Sequence, residues 1–411
     1  MEKLYWNNDW KFAETWEEAM KEAVYPENEM EDVRLPHTCK ELPYHYFDEH
    51  AYQMLCGYRR HFMAPEAWRG KSVELTFEGV AHDAVVYVNG TEVKAHHCGY
   101  TAFFVELAKY LKYGEDNVLA VRVDSRENLN IPPFGYAIDY MTFGGIYREV
   151  YVQVRNKTHL ADVFVKPQIH PLQVTTEITV QNISDGITLQ QEIRKKGEGA
   201  YSPLGQKPVK QTNVQTVFPV QEICLWEPEN PHLYEIRTSL WKNGEMIDAR
   251  VDITGFREAG FRKDGFYLNG KKLRLRGLNR HQSYPYVGYA APASMQIFDA
   301  DILKKELGVN AVRTSHYPQS QDFIRRCDEI GLLVFTEFPG WQHIGDEAWQ
   351  AQALQNCREM VCQCRSHPSI FLWGVRVSGS ADDESFYKRT NEAIHRLDPT
   401  RPTAGALPTW G

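Results

Sequence analysis

Nowhere in the 411-residue chain is there a run of ~18 consecutive apolar residues, about the number that carries a helix across a bilayer. The sequence therefore provides no membrane-spanning helix. An excess of positive charge is also missing. Lys and Arg total 46 against 54 Asp and Glu, for a net charge of −8, which argues against nucleic acid as a partner. Cysteine is scattered: the eight thiols lie at 39, 56, 98, 224, 327, 357, 362 and 364 and form no CxxC pair. Spacing for a zinc site is lacking, and the cluster at 357, 362 and 364 falls in a helix-like segment and reads as structural. The first twenty residues, MEKLYWNNDWKFAETWEEAM, have neither the positive end nor the apolar block of a secretory leader. The expectation is a cytoplasmic protein with reduced thiols. Internal repeats and low-complexity tracts are absent as well.

What the chain does have is a generous aromatic content of 10 Trp, 22 Tyr and 19 Phe. Rings stack on sugar faces, though most simply fill cores. The length calls for two or three domains. Residues 1–155 read as all-β. Val73, Leu75 and Phe77 alternate in VELTFEGV, NVLAVRVD is a further strand, and Asn89-Gly90 between apolar runs is a strong hairpin signal. Many short strands separated by turn residues predict a jelly roll or sandwich. Residues 156–256 form a second strand-rich block, whose length suits an immunoglobulin-like β-sandwich.

From residue 257 to 411 strands alternate with helices. KKLRLRGLNRH, NAVRTSH, LLVFTEF and IFLWGVRV read as strands. SMQIFDADILKKELG reads as a helix capped by Ser294 and stopped at Gly308. SQDFIRRCDEIG, a long segment from about Asp346 to Cys364, and DDESFYKRTNEAIHRLDP supply three more helices. Alternation of this kind predicts a parallel sheet covered by helices. Arg313, Thr314, Ser315, His316 and Tyr317 crowd the carboxyl end of the second strand, where (β/α) barrels place their chemistry. The predicted architecture is multidomain: jelly roll, immunoglobulin-like sandwich and an incomplete TIM barrel of about four βα units. Eight strands close such a barrel, so the chain reads as the front part of a longer architecture.

The run NAVRTSHYPQSQDFIRRCDEIGLLVF, Asn310–Phe335, resembles the first signature of glycoside hydrolase family 2, the β-galactosidase and β-glucuronidase group. The wording from Gly79 to Tyr100 resembles that family's amino-terminal sugar-binding domain, and the domain order matches throughout. The resemblance implies a retaining β-galactosidase, which needs two carboxyl groups facing each other across ~5 Å. In the family the acid/base is the Glu of an Asn-Glu pair after the fourth strand. Here Ser378 and Gly379 hold those places, and the nucleophile would lie beyond Gly411. A further departure is Ser366, where the family usually carries Asn. No catalytic residue is therefore expected in this chain. Asp382, Asp383 and Glu384 come three to five residues late, and read as helix caps.

By the same resemblance His281, in Leu278-Asn279-Arg280-His281-Gln282, and His316 contact sugar hydroxyls; the alternative for each is a structural histidine. Asp139 either reaches the sugar or stabilises a turn. Glu337 belongs either to a buried ion-pair framework with Arg313 and Arg280 or to the ligand. Trp341 either stacks on sugar or fills core, and His343 and Trp373 complete the expected substrate contacts. The family's magnesium loop is Glu-x-His; Trp341-Gln342-His343 keeps only the histidine, so no cofactor is expected. The expected partner is a β-galactoside, with neither nucleic acid nor membrane. Self-association, or association with a missing C-terminal half, completes the expectations. The main reading is a truncated, compromised β-galactosidase-like hydrolase, expected to be inactive alone; the alternative is a carbohydrate-binding pseudoenzyme.

Overall fold

The computed structural model describes residues 3–43, 45, 48–135 and 137–406. The amino-terminal region packs a four-stranded antiparallel sheet on a six-stranded one. The long strand Leu55–Met63 pairs along its whole length with Asp116–Asp124. Val73, Leu75 and Phe77 of the strand Ser72–Phe77 are fully buried, in a core shared with Trp10, Tyr58, Val86, Val121 and Val152. Burying one such apolar side chain contributes roughly 1.5–3 kcal/mol. At the predicted hairpin, Asn89 and Gly90 have φ of 51° and 83°, the paired positive values that a tight two-residue turn requires. The same Asn-Gly pair turns the chain again at 243–244 and at 269–270.

The second region is a sandwich of a three-stranded and a four-stranded antiparallel sheet. Its apolar core is pinned by one polar group. Buried Gln191 donates to Thr176 and Thr238, each at 3.0 Å, and accepts from Thr216 at 2.6 Å, linking the two sheets. Each polar atom that takes part is hydrogen-bonded, which is the condition for burying it cheaply.

Five parallel strands follow in sequential order: Gly277–Arg280, Ala311–Thr314, Leu333–Glu337, Ile370–Gly374 and Thr403–Ala404. Helices α1 (Ala293–Asp301), α2 (Gln321–Ile330), α3 (Glu347–Cys364) and α4 (Glu384–Leu397) connect them. The expected first strand KKLRLRGLNRH is divided. Lys271–Lys272 closes a small antiparallel sheet with Gly265–Leu268 and Ala259–Arg262, and only Gly277–Arg280 joins the barrel. Phe266 and Leu268 of that small sheet pack with Trp226, Ala311, Leu333 and Phe371, so burial at the barrel's floor overrides the alternating pattern. Ser294 does not cap α1; Pro292 does, and Ser294 lies inside the first turn. Proline at that boundary costs nothing because the first N–H groups of a helix are unpaired anyway. The next two helices carry local caps. Ser320 accepts from Asp322 N at 3.2 Å, Asp346 from Trp349 N at 3.1 Å, and Gly331 ends α2 at φ 70°.

The jelly-roll sheets press directly on the barrel's upper rim. Arg148 donates to Gln282 Oε1 and to the Pro318 carbonyl, both at 3.0 Å. Tyr100 stacks on Tyr317 with ring centres 4.2 Å apart, and Trp349 Nε1 donates to the Phe134 carbonyl at 3.0 Å. These contacts bring jelly-roll loops over the carboxyl ends of the barrel strands.

Candidate active site

Strand ends build the site. Arg313, one residue from the end of the second barrel strand, reaches Glu337, the last residue of the third. Its Nε meets Glu337 Oε1 at 2.8 Å, and the same terminal nitrogen lies 2.7 Å from Oε1 and 3.0 Å from Oε2. His316 Nδ1 sits 3.2 Å from Oε2 and 3.4 Å from the Arg313 terminal nitrogen. Both Glu337 oxygens are thus occupied, in a residue with 1% of its surface exposed. The structure places Glu337 within the buried ion-pair framework. Arg280 fills the equivalent role next door, bound to Asp299, Gln296 and Gln319.

The imidazoles of His281 and His316 lie together at the strand ends, their ring centres 5.6 Å apart. His281 shares a hydrogen bond of 3.1 Å with the Tyr317 hydroxyl. Loss of water around its ring, then repulsion from His316, Arg280 and Arg313, brings its pKa down to about 4. His281 is therefore neutral at pH 7 and able both to donate and to accept. Trp341 lies 4.5 Å from the His316 ring, half-buried, with an indole edge toward Tyr140. Asp139 stands exposed in its loop, near enough for its charge to favour protonation of His281.

Two expected contacts go elsewhere. Trp373 has no exposed surface and faces the layer between sheet and helices, where its Nε1 donates to Asp398 at 2.8 Å. Neighbouring strand positions point to opposite faces, and 373 points away from the barrel interior. His343 packs edge-on against Trp349, its ring filling the space beside Gly135, where a Cβ would lie 2.0 Å from it. It takes no part in the histidine pair's ring contacts among the described residues.

A residue that the motifs did not signal occupies the centre. Tyr140, from the jelly-roll loop, has its ring 4.9 Å from His281, 5.9 Å from His316 and 5.8 Å from Tyr317. Its hydroxyl is buried without a partner. Burial, then Tyr317, Asp139 and Glu337, pushes its pKa well above the usual phenol value, so it stays protonated. The only signal in the sequence was its position beside Asp139.

The loop after the fourth barrel strand carries no carboxylate into this cluster. Ser378 Oγ accepts from Arg313 at 3.1 Å, and its carbonyl accepts from Gln342 N at 2.8 Å. Gly379 follows at φ 70°, where a Cβ would lie 3.1 Å from Gln342 Cγ. Asp382 pairs with Arg376, Asp383 caps α4 by accepting from Phe386 N at 2.9 Å, and Glu384 opens that helix's first turn. The three acids are placed as helix-start residues.

Comparison with known proteins supplies the family. Residues 31–155 match the model for the sugar-binding domain of glycosyl hydrolases family 2, residues 158–257 a further family 2 model, and residues 260–405 the family's TIM barrel domain. The chain belongs to glycoside hydrolase family 2. A beta-galactosidase of Thermoanaerobacter pseudethanolicus is 46% identical over 410 residues, covering 98% of this chain and 55% of the relative. A putative beta-glucuronidase of Formosa agariphila is 30% identical, covering 91% of this chain and 47% of that protein. Among solved structures, Bacteroides uniformis beta-glucuronidase 2 superposes with a TM-score of 0.86 at 27% identity, covering 99% of this chain and 52% of its own. The chain spans about half the length of the curated relatives it matches. Within family 2, the barrel model's span contains every barrel residue of the cluster.

Proposed function

We propose that these residues form the sugar-holding part of a β-galactosidase-type cleft and bring no catalytic carboxyl group to it. The observation that carries this is the pairing of a fully engaged Glu337 with glycine at 379. A retaining mechanism needs one carboxyl to shuttle a proton and another to attack. Loss of the acid/base alone removes typically ~10²–10⁴-fold in rate. Neutral His281, the His316 imidazole, the Tyr140 hydroxyl and the Trp341 ring remain, and together they suit an uncharged polyhydroxylated ligand. A galactoside is favoured over a glucuronide because Arg313 and Arg280 are each committed to a carboxylate. Neither guanidinium is free to meet a sugar acid.

The family's magnesium positions do not fit a divalent cation here. Gln342 and Gly379 bring no carboxylate, and His343 is turned against Trp349 and Gly135. Magnesium is usually held through one or two carboxylates with waters completing its octahedron, and neither position supplies one.

The test pairs two measurements on this chain: calorimetric titration with a non-hydrolysable alkyl β-thiogalactoside, and hydrolysis of an activated aryl β-galactoside. Saturable binding, weakened by His316→Ala, together with background hydrolysis, is the expected result. Hydrolysis more than about a thousandfold above buffer would show that a catalytic carboxyl group is present after all. No binding at all would remove the sugar-holding role.

A further inference from the structure

A second cavity lies at the opposite end of the barrel from the histidine pair, between the immunoglobulin-like sandwich and the barrel floor. It measures about 620 Å³ and is lined by Lys166 and Gln168 from the sandwich, Arg257 and Glu258 from the connecting segment, and Arg365 and Arg401 from the floor. Small-molecule sites commonly span about 300–1,000 Å³.

Three of its four cations already have an anion. Lys166 pairs with Glu177, Arg365 with Asp162, and Arg401 with Asp398. Arg257 has no carboxylate partner among the described residues. Its Nε and one terminal nitrogen donate to the carbonyls of Pro368 and Ile370, and the other terminal nitrogen has no partner among the described residues. The Ile370 carbonyl also accepts from Arg401 Nε, at 2.7 Å. Two guanidinium groups therefore converge on one carbonyl oxygen. The two nearby carboxylates are engaged elsewhere: Asp398 with Arg401, Thr400 and Trp373, and Asp328 with His367 and the Ser369 N–H. Like charges this close repel strongly away from water. Burial and then Arg401 bring the Arg257 pKa down to about 9, so the group remains a cation at pH 7. Glu258 is the only acidic side chain of the lining, and it is exposed.

We infer that this cavity is a binding site for a small free oxyanion, a phosphate- or carboxylate-bearing group held against Arg257. The remaining guanidinium nitrogen can make a charge-assisted hydrogen bond to one oxygen of a carboxylate or phosphate, and the bound charge would relieve the Arg257–Arg401 repulsion. The site is independent of the sugar-holding reading, since it shares no residue with the cleft.

Inorganic phosphate, titrated calorimetrically into the chain at constant ionic strength with chloride as control, tests it, alongside thermal melts and sedimentation. The expected result is saturable one-site binding with a raised melting temperature and no change in mass. Arg257→Met should weaken binding on the order of tenfold or more. Should Met at 257 prevent folding, Gln168→Glu, an exposed change that adds a negative charge to the lining, should weaken it several-fold. Heat no greater than that of chloride overturns the inference, as does a folded Arg257→Met or Gln168→Glu variant that titrates like the parent. Phosphate that instead dissociates a dimer also overturns it, because the seat would then be filled by a carboxylate of a second copy.

Discussion

Returning a glutamate to position 379 is the obvious repair, and the structure says it will not work as a single change. Gly379 sits at φ 70°, and a Cβ there would lie 3.1 Å from Gln342 Cγ. A residue with a side chain pays about 1–2 kcal/mol for the left-handed backbone, whatever the space around it. The contact with Gln342 adds less, because that side chain is exposed and its end can move. Gly379→Glu should therefore lower stability by about 1–2 kcal/mol without raising hydrolysis of an aryl β-galactoside. Gly379→Asn should cost less, since asparagine tolerates the left-handed region better than other residues with side chains. Adding Gln342→Ala to Gly379→Glu should recover only the contact and leave the backbone cost. Urea unfolding of the four chains measures all three statements. If Gly379→Glu matches the parent in stability, or Gly379→Asn is equally damaging, the conformational reasoning is wrong.

Removing the cation from the buried framework should be severe. Arg313→Met leaves Glu337 buried without its partner, a loss of about 3–5 kcal/mol, and adding Glu337→Gln should recover much of it; denaturant titration of both variants decides. Acid should destabilise the chain through His82, which is fully enclosed and whose pKa burial brings down to about 4. The unfolded histidine takes up its proton near pH 6.5 while the folded one resists until about 4, so stability present above pH 6.5 is lost as pH falls between the two values. By the linkage relation that is on the order of 3 kcal/mol, and His82→Gln should flatten the slope of stability against pH over this window. Asp383→Ala should cost about 1 kcal/mol through loss of the α4 cap, while leaving β-thiogalactoside affinity unchanged; an altered affinity would place Asp383 in the cleft.

Local signals in the chain were read correctly where the physics is local. The Asn89-Gly90 turn, the helix SQDFIRRCDEIG and the long helix that begins near Asp346 depend on a few neighbouring residues, and each appears as expected. Ser294 misled because serine caps well in general, while here Pro292 already provides the boundary. Trp373 misled because a tryptophan at a strand end suits either face, and only the sheet's pairing determines which one it takes. His343 followed a motif whose other member is absent, and the space beside Gly135 claimed its ring. Tyr140 was missed because its partners lie more than a hundred residues away in the chain.

The sequence by itself determined the order of domains, the parallel strand–helix alternation, the family and the histidine pair, because periodicity, turn chemistry and the Asn310–Phe335 run are all written in consecutive residues. Only the tertiary structure decided which acids are free. Glu337 sits in the framework because Arg313 and His316 from the neighbouring strand end enclose it. Charge, burial and hydrogen bonding are properties of neighbours in space, and those neighbours come from distant parts of the chain.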